Sequence, residues 1–368
     1  MSWLFSRDQS TIPLNLQVSS RLYLTLDLGE QTVYMVETTK ERLLNVHGTK
    51  SSAQLATPVV LIVFNRAQPT RRVFQAIAEA RPRQLLVIAD GPRASRPHEG
   101  KLCDEVRSVI KRVDWPCDVL TNFSESNLGC CERVVTGLNW AFTHVEEAII
   151  LEDDCLPHID FFRFCQELLE RYRGDSRIGC ISGNNIDPPN RSTAYSYHFS
   201  QLGTTWGWAT WRTAWQKCDL QMRDWPAVRA SSILREVLPN RASLEYWTSI
   251  FESMHDHTGP DTWDYQWLYS RLVHGMLSIV PGVNLVRNIG FGLDATHTFE
   301  PPKWADGLVE CAIDFPLKHP PYVIPMRSFD SLDQQIGFPP VTTTKRLIRK
   351  AHGVGRLVKQ SLSSVRSL

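Results

Sequence analysis

From residue 57 onward, short apolar runs alternate with helix-like stretches, and this rhythm restricts the fold more than any other feature. Val59–Phe64 reads VVLIVF and Leu85–Ala89 reads LLVIA. Neither run alternates polar and apolar residues, as a strand with one solvent-exposed face would. Such continuous apolar runs are typical of strands that are covered on both sides. Further short strands are predicted at Asp118–Leu120, Ala148–Leu151 and Ile178–Ser182. The pattern predicts an α/β fold with an open, mostly parallel sheet flanked by helices.

The 368 residues are enough for one large domain with an extension at each end. Near the start, Arg21–Asp27 and Thr32–Val36 alternate in polarity like two strands. We therefore predict a small β-rich extension over residues 1–56 with no assigned role. The main domain is predicted over 57–300, and a C-terminal extension over 301–368.

Charge and composition indicate a protein that does not bind nucleic acid. Lys plus Arg total 40 and Asp plus Glu total 39, so the chain has no overall basic excess. No apolar run approaches the roughly 18 residues of a membrane-spanning helix, and the first residues lack a secretion signal. The nine cysteines form no CxxC pair. We expect reduced thiols in a cytoplasmic protein.

Polar residues follow three of the predicted strands at the point where each strand ends. Asn65 and Arg66 follow the first strand, Asp90 follows the second, and the acidic triplet Glu152, Asp153 and Asp154 follows the fourth. Parallel strands place their carboxyl ends at one edge of a sheet, where ligands of α/β proteins bind. The sequence therefore predicts a ligand site at this edge.

Three adjacent carboxylates repel one another, and a hard divalent cation such as Mg²⁺ or Mn²⁺ relieves this with oxygen ligands. Such a cation also stabilises the charge that grows on a departing diphosphate. The alternative is a solvated acidic turn that favours the start of the next helix. Arg66 could pair with or stack on a base, and Asp90 could accept hydrogen bonds from a ribose or uracil. Taken singly, however, the first is more often a surface arginine and the second a turn residue before Gly91.

The sequence resembles glycosyltransferases of the N-acetylglucosaminyltransferase I type, and more closely bacterial family-2-like sugar transferases. The ordered segments that carry this resemblance, across roughly residues 57–298, are Asn65-Arg66, Asp90, Asn139–Ala141, Ile149–Asp154 with Pro157 and Phe161-Phe162, Cys180–Ser182, Gly207-Trp208, Trp263-Asp264, Pro281 and Asn288–Gly292. The resemblance implies a GT-A fold and inverting transfer from a UDP-sugar with Mn²⁺. Residues 57–185 would then bind the nucleotide-sugar, and 186–300 the acceptor.

The resemblance also implies roles for individual residues. Asp154 would be the metal ligand of the acidic triplet, while Glu152 and Asp153 would contact the donor sugar and the ribose. Arg66 and Asp90 would hold the nucleoside. Animal members carry a membrane anchor that this sequence lacks, which favours a bacterial cytoplasmic enzyme.

On the acceptor side, the resemblance implies that Asp264 is the catalytic base, whereas its position before a helical stretch also suits an N-cap. Trp206 and Trp208 belong to a tryptophan-rich stretch, and we expect their rings to face a sugar, with core packing as the alternative. His297 stands in a polar loop, where it could add a metal or diphosphate ligand or lie exposed.

The last 35 residues, from Gln334 to Leu368, contain seven Lys or Arg and no Asp or Glu. Apolar and basic residues interleave from Thr344 onward as in an amphipathic helix, although Gly353 and Gly355 weaken it. We predict either peripheral contact with the inner face of a membrane or a solvated terminus.

The sequence thus predicts a metal-dependent, inverting glycosyltransferase that acts on a glycan, lipid-linked or protein acceptor. One alternative is a non-catalytic nucleotide-sugar or glycan-binding protein. A sugar nucleotidyltransferase is disfavoured, since Val63–Pro69 lacks the glycines of a triphosphate-binding loop.

Overall fold

The computed structural model describes residues 54–186, 194–292, 301–302, 304–305 and 307–338, together with two short strands nearer the N-terminus. The chain divides into two compact units, Met1–Ala53 and Gln54–Leu368. In the first unit, β1 (Leu24–Asp27) and β2 (Thr32–Met35) pair antiparallel. Both strands fall within the stretches predicted from the sequence.

The second unit alternates strands and helices. Its strands are β3 (Val59–Val63), β4 (Gln84–Ala89), β5 (Asp118–Phe123), β6 (Glu147–Glu152), β7 (Cys155–Pro157), β8 (Ile178–Ser182), β9 (Tyr197–Ser200), β10 (Trp208–Trp211), β11 (Leu277–Pro281) and β12 (Val286–Asn288). Its described helices are α1 (Ala67–Ala80), α2 (Glu99–Ile110), α3 (Cys130–His144), α4 (Asp160–Tyr172), α5 (Arg212–Trp215), α6 (Trp225–Ser231), α7 (Leu234–Val237), α8 (Arg241–His255), α9 (Asp264–Val273) and α10 (Arg327–Gly337).

Eight of these strands form one mixed sheet in the order β5-β4-β3-β6-β10-β8-β11-β9. Strands β5, β4, β3 and β6 are parallel neighbours, as are β8 and β11. Strand β10 runs antiparallel between β6 and β8, and β9 closes the far edge antiparallel to β11. The α/β class and the mostly parallel sheet agree with the prediction.

Burial on both faces explains why the sequences of β3 and β4 are apolar at nearly every position. Val59, Leu61 and Val63 point into one hydrophobic cluster, with Phe74 and Ile77 of α1. The alternate residues Val60 and Ile62 of β3 point into a second cluster that includes Leu138 of α3. Since successive side chains of a strand point to opposite faces, burial on both sides requires apolar residues at every position.

The topology creates a crevice between β3 and β6. The chain leaves β3 toward β4 on one side, whereas β6 lies on the other side of β3. Ile62 pairs with Glu152 in parallel register, so Arg66 and Asp154 leave the sheet at the same edge. Crevices at such a reversal of strand order are where open α/β sheets bind ligands.

Asp160 does not cap α4, although Asp is a common N-cap residue. It is the first helical residue, Ile159 occupies the cap position, and no side chain caps the helix. The Asp160 carboxylate instead accepts a hydrogen bond from the Ile313 backbone nitrogen at 3.1 Å. It thereby ties the segment around residue 313 to the main unit.

Helix α3 packs so closely on β4 that it tolerates no extra atom at Gly137. A Cβ there would lie 2.4 Å from the Cγ2 atom of Ile88, which is fully buried. We predict that Gly137→Ala lowers the free energy of unfolding by about 1–3 kcal/mol through overpacking. The matched control is Gly100→Ala in α2, where a Cβ meets nothing within 4 Å and helix propensity favours alanine by up to about 1 kcal/mol. Denaturant unfolding of both variants measures the contrast, and a stabilised Gly137→Ala protein would contradict this packing.

Candidate active site

An arginine bridges two carboxylates in the crevice between β3 and β6. Arg66 follows β3, and its Nη2 atom contacts Asp153 Oδ1 closely and donates to Asp154 Oδ2 at 2.9 Å. Its Nε atom lies 3.4 Å from Asp153 Oδ2. Asp153 is 4% exposed, whereas the Asp154 side chain is 17% exposed. Asp153 is therefore held by the protein, and Asp154 keeps one side open.

The turn after β12 closes over this ion pair. Arg66 Nη1 donates to the Gly290 carbonyl at 3.2 Å, and the Ile289 nitrogen donates to the Asp154 carbonyl at 2.8 Å. A Cβ on Gly290 would lie 2.0 Å from Asp154 Oδ2, so a side chain at this position would displace the carboxylate. The surface-arginine alternative for Arg66 is wrong, because its guanidinium is committed to the acidic triplet and to this turn.

The acidic triplet carries more negative charge than Arg66 neutralises. Burial raises the pKa of Glu152, and the charges of Asp154, Asp153 and Asp264 raise it further. Burial also raises the pKa of Asp153, although the Arg66 charge opposes this shift. Both shifts favour the protonated acids, as expected where carboxylates crowd one another, and a bound cation would favour their ionised forms instead.

Asp264 reaches the triplet because a loop is fastened to the start of α3. The Asp261 carboxylate accepts hydrogen bonds from the backbone nitrogens of Cys130 at 2.9 Å and Cys131 at 3.1 Å. These are the first residues of α3, whose N–H groups have no partner within the helix. The negative charge also suits the positive end of the helix dipole. We call this contact the Asp261 clamp.

Gly129 is required where the clamp meets α3. Its φ is +86°, which residues with a side chain rarely adopt, and a Cβ would lie 2.7 Å from Asp261 Oδ2. The glycine also offers no side chain to cap α3, so the carboxylate that does so comes from 131 residues away in sequence.

The alternative interpretation of Asp264 as an N-cap is wrong. The cap position of α9 belongs to Trp263, and Asp264 is the first helical residue. Its carboxylate accepts a short hydrogen bond from the Thr262 hydroxyl, and its charge raises the pKa of both Glu152 and Cys130. Asp264 therefore lies among the residues of the crevice, and its role as a base stays a prediction.

Asp90 was predicted to hold the nucleoside, but its carboxylate is buried and bonded to the loop before α3. It is 5% exposed, and its carboxylate accepts from the backbone nitrogens of Gly91 at 2.8 Å and Leu128 at 3.0 Å. The Asn127 amide donates to its second oxygen at 2.8 Å. Because both oxygens are occupied by the protein, Asp90 fastens the loop before α3 and presents no free oxygen to a nucleoside.

The prediction that Trp208 faces a sugar was wrong. Its ring is 1% exposed and stacks on Trp263 with ring centroids 5.4 Å apart, with Trp215 and Trp267 also in contact. Strand β10 points it into the core, and the covering face is built by α5 and α9. This tryptophan cluster carries Trp263 and so supports the loop that holds Asp264.

Trp206, two residues earlier, lies partly exposed in an aromatic group that the sequence did not reveal. It stacks on Trp304 with ring centroids 5.0 Å apart and meets Phe291 edge-on at 5.9 Å. Phe291 follows Gly290, so this aromatic group adjoins the acidic triplet. No spacing in the sequence relates Trp304 to Trp206, and their contact depends on the path of the chain after residue 300.

Asp154 is the candidate cation ligand that the described residues leave partly exposed. Within the described ranges, no group of three or more His, Cys, Asp or Glu side chains is arranged to hold a metal ion. Asp154 offers a partly exposed carboxylate, which suits a hard cation that takes its other ligands from phosphate oxygens and water. His297 lies outside the described residues.

All nine cysteines are free thiols, and the most buried are Cys103, Cys155, Cys165 and Cys180. Burial raises the pKa of the Cys103 thiol to about 11, as expected for a small apolar core residue. Among the helices that the structure describes, none combines the length and hydrophobicity needed to cross a membrane.

No protein-family model matches the chain, and no curated protein matches its sequence. Among solved structures, the chain is similar to the crystal structure of S. aureus TarS residues 1–349, a glycosyltransferase. The two share 8% identity over 63% of this chain and 59% of the TarS chain, with a TM-score of 0.35. The chain thus spans less than two thirds of TarS, and a likeness this slight carries no argument about function.

The Asp261 clamp gives a direct test of how Asp264 is positioned. We predict that Asp261→Ala lowers the free energy of unfolding by about 1 kcal/mol, as for loss of a helix cap. The amides of Cys130 and Cys131 should also exchange faster with solvent. Asp261→Asn keeps one acceptor and should lose less, and Asp104→Ala removes an exposed carboxylate of α2 as a control. Unchanged exchange at both amides in Asp261→Ala would show that the clamp does not form.

Proposed function

We propose that the protein is a metal-dependent, inverting glycosyltransferase of the GT-A type that uses a UDP-sugar. One observation carries the proposal: segments far apart in sequence, all part of the family resemblance, converge at one edge of the sheet. Arg66 contacts Asp153, Asp154 and the Gly290 carbonyl, and the Asp264 charge acts on Glu152. An acidic turn that merely favours a helix needs no such convergence.

The crevice between β3 and β6 suits the donor. In the proposed complex, Glu152 contacts the donor and Asp154 would share Mn²⁺ or Mg²⁺ with the diphosphate, while Asp153, which is buried with both oxygens on Arg66, holds the guanidinium in place. When bound, the cation offsets the negative charge that develops on the leaving diphosphate. Arg66 keeps Asp153 and Asp154 in fixed positions, so the donor meets a site whose carboxylates are already oriented.

The acceptor side is proposed to contain the base. The acceptor hydroxyl oxygen forms a bond to the anomeric carbon, the bond from that carbon to the diphosphate oxygen breaks, and the hydroxyl proton passes to the Asp264 carboxylate. Attack from the face opposite the leaving group inverts the anomeric configuration. The aromatic group of Trp206, Phe291 and Trp304 adjoins Asp154 through Gly290 and offers apolar faces to a sugar ring.

A glycan, a lipid-linked sugar and a protein remain the candidate acceptors, so the first assay is donor hydrolysis with UDP-sugars in the presence of Mn²⁺. A non-catalytic nucleotide-sugar-binding protein would bind UDP-sugar without releasing UDP. Absence of both transfer and hydrolysis across a panel of nucleotide-sugars, with binding intact, would favour that alternative.

Asp154→Asn tests the cation ligand. We predict loss of turnover even at saturating Mn²⁺, because the neutral amide is a poorer ligand for a hard cation and for the diphosphate bound with it. The melting temperature should stay near that of the unsubstituted protein, since Asn keeps the size of the side chain. The control Asp104→Asn removes an exposed charge from α2 and should retain full turnover. Normal activity in Asp154→Asn would remove this residue from the site.

Asp264→Asn separates the base from its structural surroundings. Asn retains an oxygen that accepts the Thr262 hydrogen bond, so stability and UDP-sugar binding should persist. Turnover should fall by about 10²–10⁴-fold, the usual effect of losing a positioned general base. The kcat for transfer, measured beside a melting curve, decides the matter. A stable variant that binds the donor and turns over normally would show that Asp264 is not the general base.

A further inference from the structure

An exposed apolar surface lies at the far edge of the sheet, on the strand farthest from β5. Tyr195, Tyr322, Ile324 and Met326 belong to a groove of about 280 Å³ beside β9. Tyr322 is 72% exposed and Ile324 63%, which is unusual for side chains of this size. We call this surface, together with Pro320 and Pro321, the apolar groove.

Backbone hydrogen bonds to β9 fix the shape of the groove. Its outer wall is the segment 318–326, which the backbone fastens to β9 at both ends. Ser196 donates to the Lys318 carbonyl at 2.8 Å, and Met326 donates to the Phe199 carbonyl at 2.8 Å. With the backbone fixed, Tyr322 and Ile324 are held outward, and their exposure is a property of the folded chain. Clustered exposed apolar side chains mark contact surfaces.

The exposed charged side chains at the two ends of the groove are basic. In the part of the chain that the structure describes, its lining contains no acidic residue. Lys318 and Arg327 are exposed at its two ends, whereas Asp330 and Asp333 of α10 are buried. Glu167 is occupied by a contact with His319 at 3.4 Å. Beyond α10, the sequence continues into the basic C-terminal stretch that has seven Lys or Arg from Gln334 onward and no acid.

We propose that the apolar groove is a docking surface for an anionic phospholipid bilayer. Stable attachment to a membrane surface requires two signals, and here Tyr322 and Ile324 supply apolar insertion while Lys318 and Arg327, at the two ends of the groove, supply attraction to anionic headgroups. Tyrosine suits this place because its ring is apolar and its hydroxyl reaches water. The inference does not depend on the proposed reaction.

A second copy of the chain is a poorer occupant. Two apolar grooves facing each other would bring the Lys318 and Arg327 charges of both copies together, and like charges at an interface are unfavourable. An anionic surface instead complements both of these flanking charges.

Vesicle co-sedimentation of the full chain tests this proposal. Binding is expected to vesicles of phosphatidylcholine mixed with phosphatidylglycerol, with weaker binding to phosphatidylcholine alone and at high salt. The double variant Tyr322→Ser with Ile324→Ser should bind mixed vesicles about tenfold to a hundredfold less, because it loses two inserted side chains. Both positions are exposed, so the melting curve should not change.

The matched control is Ile233→Ser with Val309→Ser, which removes two exposed apolar side chains outside the groove, 53% and 51% exposed. It should bind like the unsubstituted chain. The proposal is overturned if the full chain does not bind anionic vesicles, or if both double variants bind equally well. A concentration-dependent dimer in gel filtration that the Tyr322/Ile324 variant abolishes would identify a second copy as the occupant and would equally overturn it.

Discussion

The contact of Arg66 with Asp153 and Asp154 is the interaction on which the rest of the site depends. Carboxylates that leave the sheet side by side are stable together only if a fixed positive charge lies between them. Burial disfavours that charge, but both carboxylates outweigh burial and raise the pKa of Arg66, so it stays charged. The Gly290 turn then closes over the pair and leaves Asp154 partly open. The geometry and the remaining negative charge of the crevice both follow from this arrangement.

The catalytic side of the proposed site rests on packing remote from it. Trp208, Trp215, Trp263 and Trp267 form a buried cluster beneath the loop that holds Asp264. The Asp261 clamp fastens the same loop to α3. The loop before Asp264 is therefore held by a helix terminus on one side and by an aromatic core on the other, which restricts the position of the Asp264 backbone. Such preorganisation is what a positioned base requires.

Local pattern predicted five of the eight strands of the large sheet, namely β3, β4, β5, β6 and β8, but not β9, β10 and β11. Apolar runs such as Val59–Val63 identify strands that are buried on both faces, and their parallel order places Arg66 and the acidic triplet at one edge. Pattern could not decide which polar residues face a ligand. Asp90 looks like an edge residue in sequence, but the loop residues Asn127 and Leu128 return to occupy its carboxylate. That contact depends on the folded path of the chain.

The other features that the sequence did not reveal depend on how distant parts of the chain fold together. Trp206 and Trp208 are two residues apart and would share a face in a continuous strand, but β10 begins at Trp208 and Gly207 has a φ of +63°, so the chain turns between the two rings. The Asp261 clamp had a faint signal, since the α3 sequence begins after Gly129 without a capping side chain and some acceptor had to be found elsewhere. The contact of Trp304 with Trp206 had no sequence signal, because nothing in the local composition shows that the chain after residue 300 returns to Trp206.

The central claim is that the acidic triplet binds a divalent cation together with a nucleoside diphosphate. Electron paramagnetic resonance of free Mn²⁺, titrated into the protein with and without UDP, measures this coupling directly. The account predicts that protein and UDP together remove far more free Mn²⁺ signal than the sum of what each removes alone, because Asp154 and the phosphate oxygens share one ion. A signal loss that equals that sum would contradict it.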